Sequence, residues 1–458
     1  MTTSAIRRGT GALAPALAST ALLLAALPLA GCASPELGAR HRELERSFAA
    51  RAPTAPPDDE DALARAPRLE REQLVQEVLR RNPSLDAARQ AWRAVLERFP
   101  QETSLDDPMA DFGLAPRSLG SSAVREGYTG SLAQRLPFPG KLSLRGEVAL
   151  ASAEAAEQDY EALRRRLAEA ASLLFDDYYL VARAIEINDA HVLLLEQLQE
   201  IAVARYAAGE AAQQDPLQAE VEHAHRLHDA AVLRAEQRVT AARIDALLHR
   251  RGETPLPPPP ARLDPPARGP LDSDALVERA LRERPELRAA EARVQGRRSG
   301  VALARREFLP DVTLVGAWEG LMQESELRPV VGLSIDLPIR IARRRAALAE
   351  ARAELSGATS ERSALEDEVR FEVRSAVLRM EEAHHVLHLL EDRVVPAARD
   401  RVDAARAGFE TGRNGFDSLI EAERELRDAE LDRENALAKL SQRHAELQRA
   451  IGALPGLP

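Results

Sequence analysis

Residues 201–221 read IAVARYAAGEAAQQDPLQAEV, and this stretch predicts a tight turn between two helices. Gly209 suits the left-handed position that ends a helix, because glycine has no Cβ to clash there. Asp215 is predicted to cap the return helix, with Pro216 at its first position and Gln218 completing a capping box. The stretch from Leu142 to Leu248 is therefore predicted to form an antiparallel helical hairpin.

The first helix of this hairpin is predicted to be very long. No proline occurs between Lys141 and Asp215. Apolar residues recur at helical steps of three and four, namely at Leu163, Leu167, Ala170, Leu174, Tyr178, Val181 and Ile185. A helix from Leu142 to Ala208 would be roughly 100 Å long at about 1.5 Å per residue, which is too long for a compact globular core.

The chain also repeats itself at an offset of 202 or 203 residues. The matched pairs are Leu74 with Leu276, Pro83 with Pro285, Leu85 with Leu287, Tyr206 with Phe409, Gly209 with Gly412, and Leu217 with Ile420. Ser418 and Glu421 form a second predicted capping box. A repeat of this length indicates two copies of one structural unit. We assign residues 70–251 to the first repeat, 252–272 to a proline-rich connector and 273–458 to the second repeat.

Each repeat is predicted to begin with a shorter helix, which in the first repeat runs from about Glu70 to Phe99. A β-hairpin is then predicted before the long helix. In the second repeat, Val331, Leu333, Ile335 and Leu337 alternate with small or polar residues, and Asp311–Trp318 is the predicted partner strand.

The corresponding strands of the first repeat are Gly127–Leu136 and the more weakly patterned Met109–Leu114. The alternating apolar face of Val331–Leu337 suggests contact with lipid. A bilayer accepts β-structure only when every strand edge is paired, so four strands require several chains, and three chains would supply twelve strands.

The N-terminus is predicted to be a signal peptide spanning residues 1–31. Arg7 and Arg8 precede an apolar run, Thr20–Leu29, which is too short to span a bilayer. The run ends in Leu29-Ala30-Gly31-Cys32, which resembles a bacterial lipoprotein processing box, and Cys32 is the only cysteine. Cys32 is therefore the predicted lipidation site, carrying diacylglyceryl and palmitate groups; the alternative is an incidental cysteine. Residues 32–69 are predicted to form an extended, lipidated tether.

Composition excludes several function classes. Aromatic residues make up only 3% of the chain and charged residues 29%, with a net charge of −11, so nucleic acid is not an expected partner. No phosphate-binding glycine loop or nucleophile motif occurs, so neither an enzyme nor a cofactor is predicted. His384 and His388 lie one helical turn apart near Glu381, a spacing that could bind a divalent metal, but a solvated helix face explains them better, and no metal is predicted.

Several segments together resemble the TolC-like outer-membrane efflux protein family over nearly all of the mature chain. They are Asn82-Pro83-Ser84-Leu85, Arg284-Pro285-Glu286-Leu287, Leu136-Pro137-Phe138-Pro139-Gly140-Lys141, Leu337-Pro338, Arg205-Tyr206-Ala207-Ala208-Gly209-Glu210 and Gly408-Phe409-Glu410-Thr411-Gly412. The resemblance implies a homotrimer with a 12-stranded outer-membrane β-barrel that continues into a periplasmic α-barrel. The implied fold class is thus mainly α with a small β part.

The resemblance also implies partners and sites. The hairpin tips would contact a periplasmic adaptor protein bound to an inner-membrane pump, and the residues implied are Arg205, Tyr206, Gly209, Asp215, Phe409 and Gly412. The family closes its periplasmic end with two acids near the second tip, whose positions here hold Ser418 and Glu421; the neighbouring Asp417 could replace the missing acid.

The resemblance implies that the protein is a passive exit duct of a tripartite efflux pump. Two alternative functions, a periplasmic adaptor and a coiled-coil scaffold, fit the sequence less well. A periplasmic adaptor would show a single hairpin flanked by strands, whereas this chain has two in tandem. A coiled-coil scaffold leaves the lipoprotein box and the strand Val331–Leu337 unexplained. The substrate class stays open between metal ions, drugs and other small molecules, although Leu136–Lys141 is most similar to members that serve heavy-metal efflux.

Overall fold

The computed structural model describes residues 34–51, 63, 66–118, 123–124, 126–250, 255–266, 269 and 271–457. The predicted signal peptide and Cys32 lie outside these residues. Of the described residues, 73% are helical, and they contain one four-stranded sheet, which confirms the mainly α class with a small β part.

Helix α1 (Pro35–Ala50) precedes the first repeat, whose helices are α2 (Arg71–Arg81), α3 (Pro83–Leu96), α4 (Arg98–Thr103), α5 (Lys141–Ala207) and α6 (Gln214–Leu247). Those of the second are α7 (Ser273–Glu283), α8 (Pro285–Arg306), α9 (Ile341–Leu389), α10 (Val395–Glu410) and α11 (Phe416–Ala450). The strands are β1 (Met109–Leu114), β2 (Tyr128–Leu136), β3 (Asp311–Glu319) and β4 (Pro329–Asp336). All four predicted strands are therefore present, including the weakly patterned Met109–Leu114. No described helix is both long and apolar enough to cross a membrane.

The prediction of an extended chain after Cys32 is wrong for Pro35–Ala50, which is helical. The Ser34 hydroxyl accepts a hydrogen bond from the Leu37 N–H at 3.4 Å, and Pro35 occupies the first turn, where no N–H is needed. Leu37 and Leu44 are buried in an apolar cluster with Leu96 and Phe99. Burial of this helical face provides the stabilisation that the tether's polar composition did not suggest.

The predicted single helix from Glu70 to Phe99 is also wrong, because the chain breaks at Asn82 and again after Leu96. Pro83 has no N–H to donate, and its ring disfavours a helical residue before it. Asn82 is accordingly extended, with a ψ of 119°. In the second repeat the helix breaks at Arg284, before Pro285, and the ψ of Arg284 is 125°. Both repeats therefore interrupt their first helix at the same position.

Helix α5 is continuous over 67 residues, as its sequence predicts. Its counterpart in the second repeat is interrupted by a π-helical segment, Leu390–Val394, between α9 and α10. There the Val395 N–H donates to the Leu390 carbonyl, five residues back. Pro396 follows in the first turn of α10 and cannot donate to a preceding carbonyl, which accounts for the wider turn.

The strands form one antiparallel sheet in the order β1-β2-β3-β4. The two predicted hairpins are joined because β2 pairs with β3, with Leu136 opposite Val312 and Thr129 opposite Glu319. Strands β1 and β4 are the sheet's outer strands, and each has one edge with no strand partner among the residues that the structure describes.

The chain divides into two compact units. The first comprises Met1–Arg51, Ala91–Ala156 and Ala289–Arg362 and contains the sheet; the second comprises Ala52–Gln90, Glu157–Arg288 and Ser363–Pro458. Within the second unit, a large apolar cluster includes Leu74, Phe175, Val373 and Leu440, and the connector residue Leu263 joins it. A smaller cluster lies near the hairpin turns.

Candidate functional site

The turn between α5 and α6 is a Schellman motif. The Glu210 N–H donates to the Arg205 carbonyl at 2.9 Å, and the Gly209 N–H donates to the Tyr206 carbonyl at 3.0 Å. Gly209 has a φ of +73°, and a Cβ placed on it would meet nothing within 4 Å. The left-handed backbone, and not a close contact, therefore selects glycine at this position.

The second turn repeats this geometry. The Arg413 N–H donates to the Gly408 carbonyl at 2.8 Å, the Gly412 N–H donates to the Phe409 carbonyl at 3.1 Å, and Gly412 has a φ of +69°. The predicted helix ends at Gly209 and Gly412 are thus confirmed.

The predicted capping boxes are wrong. Helix α6 begins at Gln214, with Gln213 as N-cap, so Asp215 lies inside the first turn. Helix α11 begins at Phe416 after Gly415, which places Ser418 within the first turn as well. Neither N-cap makes a side-chain hydrogen bond. The shift is possible because none of the first four N–H groups of a helix needs a helical acceptor, so Pro216 fits the third position as well as the first.

Arg205 connects the two hairpin turns. One guanidinium nitrogen donates to the Phe409 carbonyl at 2.9 Å, and the guanidinium carbon lies 4.5 Å from the centroid of the Phe409 ring. Phe409 in turn packs against Phe416, with ring centroids 5.5 Å apart. The structure therefore brings Arg205 and Phe409 together, whereas Tyr206 is exposed.

Asp215 faces the same group of side chains. Burial and the negative charge of Asp417 raise the pKa of the Asp215 carboxyl above its usual value, and Arg205 opposes this rise. The first turns of α6 and α11 thus bring Asp215 within the electrostatic influence of both Asp417 and Arg205. This juxtaposition was not predicted from the sequence, because Asp215 and Asp417 lie on different hairpins.

The other acid predicted for a periplasmic gate, Glu421, is exposed and pairs with Arg401 of its own hairpin at 3.3 Å. Asp417 is exposed and Ser418 is half-buried. The three residues occupy the first two turns of α11.

Buried charges farther from the turns were missed in the sequence. Glu222 and Glu423 are both buried; Glu222 pairs with Arg424, and Glu423 lies 3.4 Å from Arg406. The position of Glu423 in the sequence does indicate that it is buried. Glu423 follows Phe416 and Ile420 at helical spacing on the buried face of α11. An acid on such an apolar stripe indicates a partner on a facing helix.

Residues opposite each other in adjacent strands share a face, so the registers give the sheet one apolar face and one face that mixes polar and apolar side chains. The registers place on one face Phe112, Leu114, Tyr128, Leu132, Val312, Leu314, Val331, Leu333 and Ile335, with Gln134 as a polar exception. The opposite face carries the polar residues Asp111, Thr129, Ser131, Arg135, Thr313 and Ser334, together with Met109, Ala133, Val315, Ala317 and Val330. Val331 is 79% exposed and Leu333 is 68% exposed. Leu337, just beyond the strand, is 70% exposed.

A buried ionic cluster anchors the sheet to the start of α5. Lys141 is only 2% exposed, and its ammonium donates to Asp311 at 2.8 Å and to the Leu309 carbonyl at 3.1 Å. The same carboxylate accepts hydrogen bonds from the Phe138 N–H and from Arg135, each at 2.9 Å. The segment Leu136–Lys141 is therefore held at both ends by Asp311.

His384 and His388, the pair weighed as an alternative metal site, lie near the end of α9. His388 lies 2.6 Å from Asp392, and within the described ranges no group of three or more His, Cys, Asp or Glu side chains is arranged to hold a metal ion.

Comparisons with known proteins point in one direction. Residues 276–453 match the family model described as outer membrane efflux protein. No curated protein matches the chain significantly in sequence. The fold is similar to that of the outer-membrane channel OprN, with a TM-score of 0.69 and 22% identity over 88% of this chain and 97% of that one.

Two further structures are similar. CusC has a TM-score of 0.71 and 16% identity over 88% of this chain and 97% of its own. The outer membrane protein VceC from Vibrio cholerae has a TM-score of 0.69 and 18% identity over 84% and 96%. The resemblance to TolC-like outer-membrane efflux proteins, predicted from the sequence, is confirmed.

Proposed function

We propose that this chain, which carries an outer membrane efflux protein domain and has the fold of outer-membrane channels, is the passive exit duct of a tripartite efflux system. As a homotrimer it would place twelve strands in the outer membrane and extend long helical hairpins into the periplasm. It would conduct small molecules or metal ions from the periplasm or the pump to the exterior.

The observation that carries this proposal is the sheet. Its apolar face is continuous over all four strands, and the large side chains on β1 and β4 are exposed. An apolar face of this kind suits lipid, and the opposite face, which carries Asp111, Arg135 and the hydroxyl side chains of the sheet, suits a water-filled lumen better. Because β1 and β4 each have one edge unpaired within the described part of the chain, closure would require other copies of the chain, since unpaired backbone groups are not tolerated in a bilayer.

We further propose that the hairpin turns meet the other components. Arg205, Tyr206, Gly209, Asp215, Phe409 and Gly412 would contact a periplasmic adaptor protein, which links the duct to an inner-membrane pump of the proton-driven resistance-nodulation-division type. Exposure of Tyr206 and the open space around both glycines support this role. Cys32 would carry the lipid that anchors the mature N-terminus in the outer membrane.

The periplasmic end would be closed at rest. Asp417 and Glu421, with Ser418 between them, lie on the first two turns of α11. Docking at the turns would move these residues outward. Since Glu421 is already paired with Arg401, Asp417 is the acid of this group that remains available to a neighbouring copy at the closed end.

Light scattering and negative-stain microscopy of detergent-extracted protein test the assembly. A trimer with a helical tube roughly 100 Å long is expected. A monomer or dimer that stays in solution without detergent would refute the duct and favour the coiled-coil scaffold.

The variant Gly412→Pro tests the tip. Proline cannot adopt a φ near +69°, so the second turn should be lost and export abolished while trimers persist. The matched control is Gly357→Ala, at an exposed glycine of α9 with no atom within 4 Å of its Cβ position. Unchanged export by Gly412→Pro would remove this turn from the mechanism.

A further inference from the structure

A basic surface patch lies directly after the last strand of the sheet. It consists of Arg340, Arg343 and Arg345, which are all exposed. None of the three makes a hydrogen bond or an ion pair with the residues that the structure describes. The remaining arginine of this segment, Arg344, is half-buried, and its Nε donates to the Glu307 carbonyl at 2.7 Å. The basic patch therefore presents three positive charges without counter-ions in the described part of the chain.

The charge of this segment contrasts with that of the chain as a whole. Residues 337–349 contain four arginines and no Asp or Glu, whereas the chain has a net charge of −11. The acids nearest to the segment lie close to other basic groups, because Glu307 is 3.4 Å from Lys141 and Asp336 is 3.7 Å from Arg135. The basic patch therefore suits an anionic partner from outside the chain.

The stability of α9 does not explain these arginines. Arg343 and Arg345 lie in the first two turns of α9, and the first turn holds no acid. Basic side chains are unfavourable at this end of a helix, where the helix dipole is positive, and acids are favourable there. A negatively charged neighbour would remove this cost.

The apolar face of the sheet continues in sequence up to the basic patch. Ile335, near the end of β4, is exposed, and exposed apolar side chains follow at Leu337, Ile339 and Ile341. Ile339 is 81% exposed. Under the proposed function the apolar face contacts lipid hydrocarbon, so Ile341 marks the periplasmic limit of this apolar surface.

The spacing places the basic patch at the depth of lipid headgroups. Arg345 follows Ile341 by four residues, or roughly 6 Å of helix, and Arg340 lies between Ile339 and Ile341. A bilayer has a polar headgroup region roughly 5–8 Å thick on either side of its hydrocarbon core. An arginine stem can lie along apolar surface while its guanidinium reaches a headgroup phosphate, to which it can donate two hydrogen bonds.

We propose that Arg340, Arg343 and Arg345 form a binding surface for anionic phospholipid headgroups in the periplasmic leaflet of the outer membrane. The proposal rests on the proposed function, since the sheet must lie in that membrane. Only the second repeat carries this surface, because Lys141, at the start of α5, is buried and paired with Asp311. A trimer would therefore have one such surface per chain below its barrel.

Native mass spectrometry of the full-length protein tests this surface. The protein is placed in mixed micelles with equal amounts of phosphatidylglycerol and phosphatidylcholine that have the same acyl chains, so the bound lipids report on the headgroup. Phosphatidylglycerol should be retained roughly threefold to tenfold over phosphatidylcholine, since each basic residue near an anionic lipid adds attraction. Combining Arg340→Gln, Arg343→Gln and Arg345→Gln should remove at least half of this preference. An unchanged preference would overturn the proposal.

The matched control combines Arg238→Gln, Arg379→Gln and Arg413→Gln. These three arginines are exposed and lie in the compact unit that does not contain the sheet. The control should keep the preference of the parent protein. An equal loss in the control and the patch variant would show that any three arginines contribute, and would overturn the assignment to this patch.

A charge-conserving variant guards against misfolding of the glutamine variant. Combining Arg340→Lys, Arg343→Lys and Arg345→Lys should keep most of the preference, because the attraction depends mainly on charge. A loss as large as that of the glutamine variant would count against a charged lipid-binding surface.

Ionic strength tests the unaltered protein. Raising the salt concentration from about 0.1 M to about 1 M shortens the Debye length from about 10 Å to about 3 Å, so the preference should fall at least about twofold. A preference that is independent of salt would contradict the proposal. Excess inorganic phosphate at constant ionic strength should not displace the lipid, and displacement would instead assign the patch to a soluble anion.

The oligomeric state in the same spectra separates this surface from the duct. Trimers that show no preference for phosphatidylglycerol would refute the surface and leave the duct standing. A preference that depends on the patch, in a protein that forms no trimers, would support the surface and refute the duct. Loss of trimers in the glutamine variant with an unchanged lipid preference would show that the arginines contact a second copy of the chain, which would overturn the proposal.

Discussion

Replacing Arg71 by methionine should destabilise the protein at alkaline pH far more than at acidic pH. Arg71 donates two hydrogen bonds to Asp176, at 2.6 and 3.1 Å, and one to the Ser441 hydroxyl at 2.6 Å. Asp176 is fully buried. Removing the arginine therefore leaves a buried carboxylate without its counter-ion, which typically costs about 3–5 kcal/mol.

The pH dependence follows from the carboxyl itself. Burial raises the pKa of Asp176 to about 6, and Arg71 opposes this rise. Because the pKa in the folded protein lies above the usual 3.8, the group's contribution is fully present below that value and is lost as pH rises through about 6. The loss amounts to roughly 3 kcal/mol in the parent protein. Without Arg71 the pKa should rise further, so the penalty of Arg71→Met should be small near pH 5 and complete near pH 8.

Thermal unfolding of the detergent-extracted protein, followed by far-ultraviolet circular dichroism at both pH values, measures this difference. Arg297→Met is the matched control, because Arg297 and Glu354 form an exposed pair at 2.8 Å and such pairs contribute about 0–1 kcal/mol. Adding Asp176→Asn to Arg71→Met should recover most of the stability at pH 8, since the amide has no charge to bury. An equal loss for Arg71→Met at both pH values, or no recovery by Asp176→Asn, would refute the reasoning.

Three further predictions concern single side chains. His249 ends α6 with a φ of +52°, so His249→Gly should raise the free energy of unfolding by about 1 kcal/mol, measured by thermal unfolding; a lower stability would contradict the assigned strain. Tyr179→Phe should lower the free energy of unfolding by about 1–3 kcal/mol, since the phenol donates a hydrogen bond to the buried Glu434 carboxylate at 2.7 Å. An unchanged midpoint of thermal unfolding would show that this hydrogen bond contributes nothing to stability. Lys141 and Lys439 are the only lysines, and amine acetylation followed by mass spectrometry should modify the exposed Lys439 at least about tenfold faster than the buried Lys141; equal rates would mean that the ionic cluster opens readily.

The hairpin turns and strands could be predicted because each depends on neighbours in sequence. Gly209 and Gly412 mark left-handed positions whatever lies around them, and the alternation of Val331, Leu333 and Ile335 has the period of a strand. The joining of the two β-hairpins through β2 and β3 follows no local signal, since Leu136 and Val312 are far apart in the chain.

The failed predictions share a physical cause. Asp215 and Ser418 have the right chemistry for helix caps, yet both helices begin earlier, because the orphan N–H groups of a first turn tolerate several start positions. Helix α1 is stabilised by burial against residues far along the chain, which its own composition cannot show. Buried acids such as Glu423 depend on arginines of another helix, and pairing across helices is not encoded by spacing along one of them.

The two repeats show which parts of the sequence the fold constrains. The end of α6 at His249 and the end of α11 at Gly452 make the same pair of hydrogen bonds: Arg250 and Ala453 donate five residues back, to Asp245 and Gln448. The side chains differ at this shared backbone position, and only glycine adopts it without cost. A fold that fixes a few backbone positions in this way leaves most side chains free to change, which is why a chain only 22% identical to OprN keeps its fold over 88% of its length.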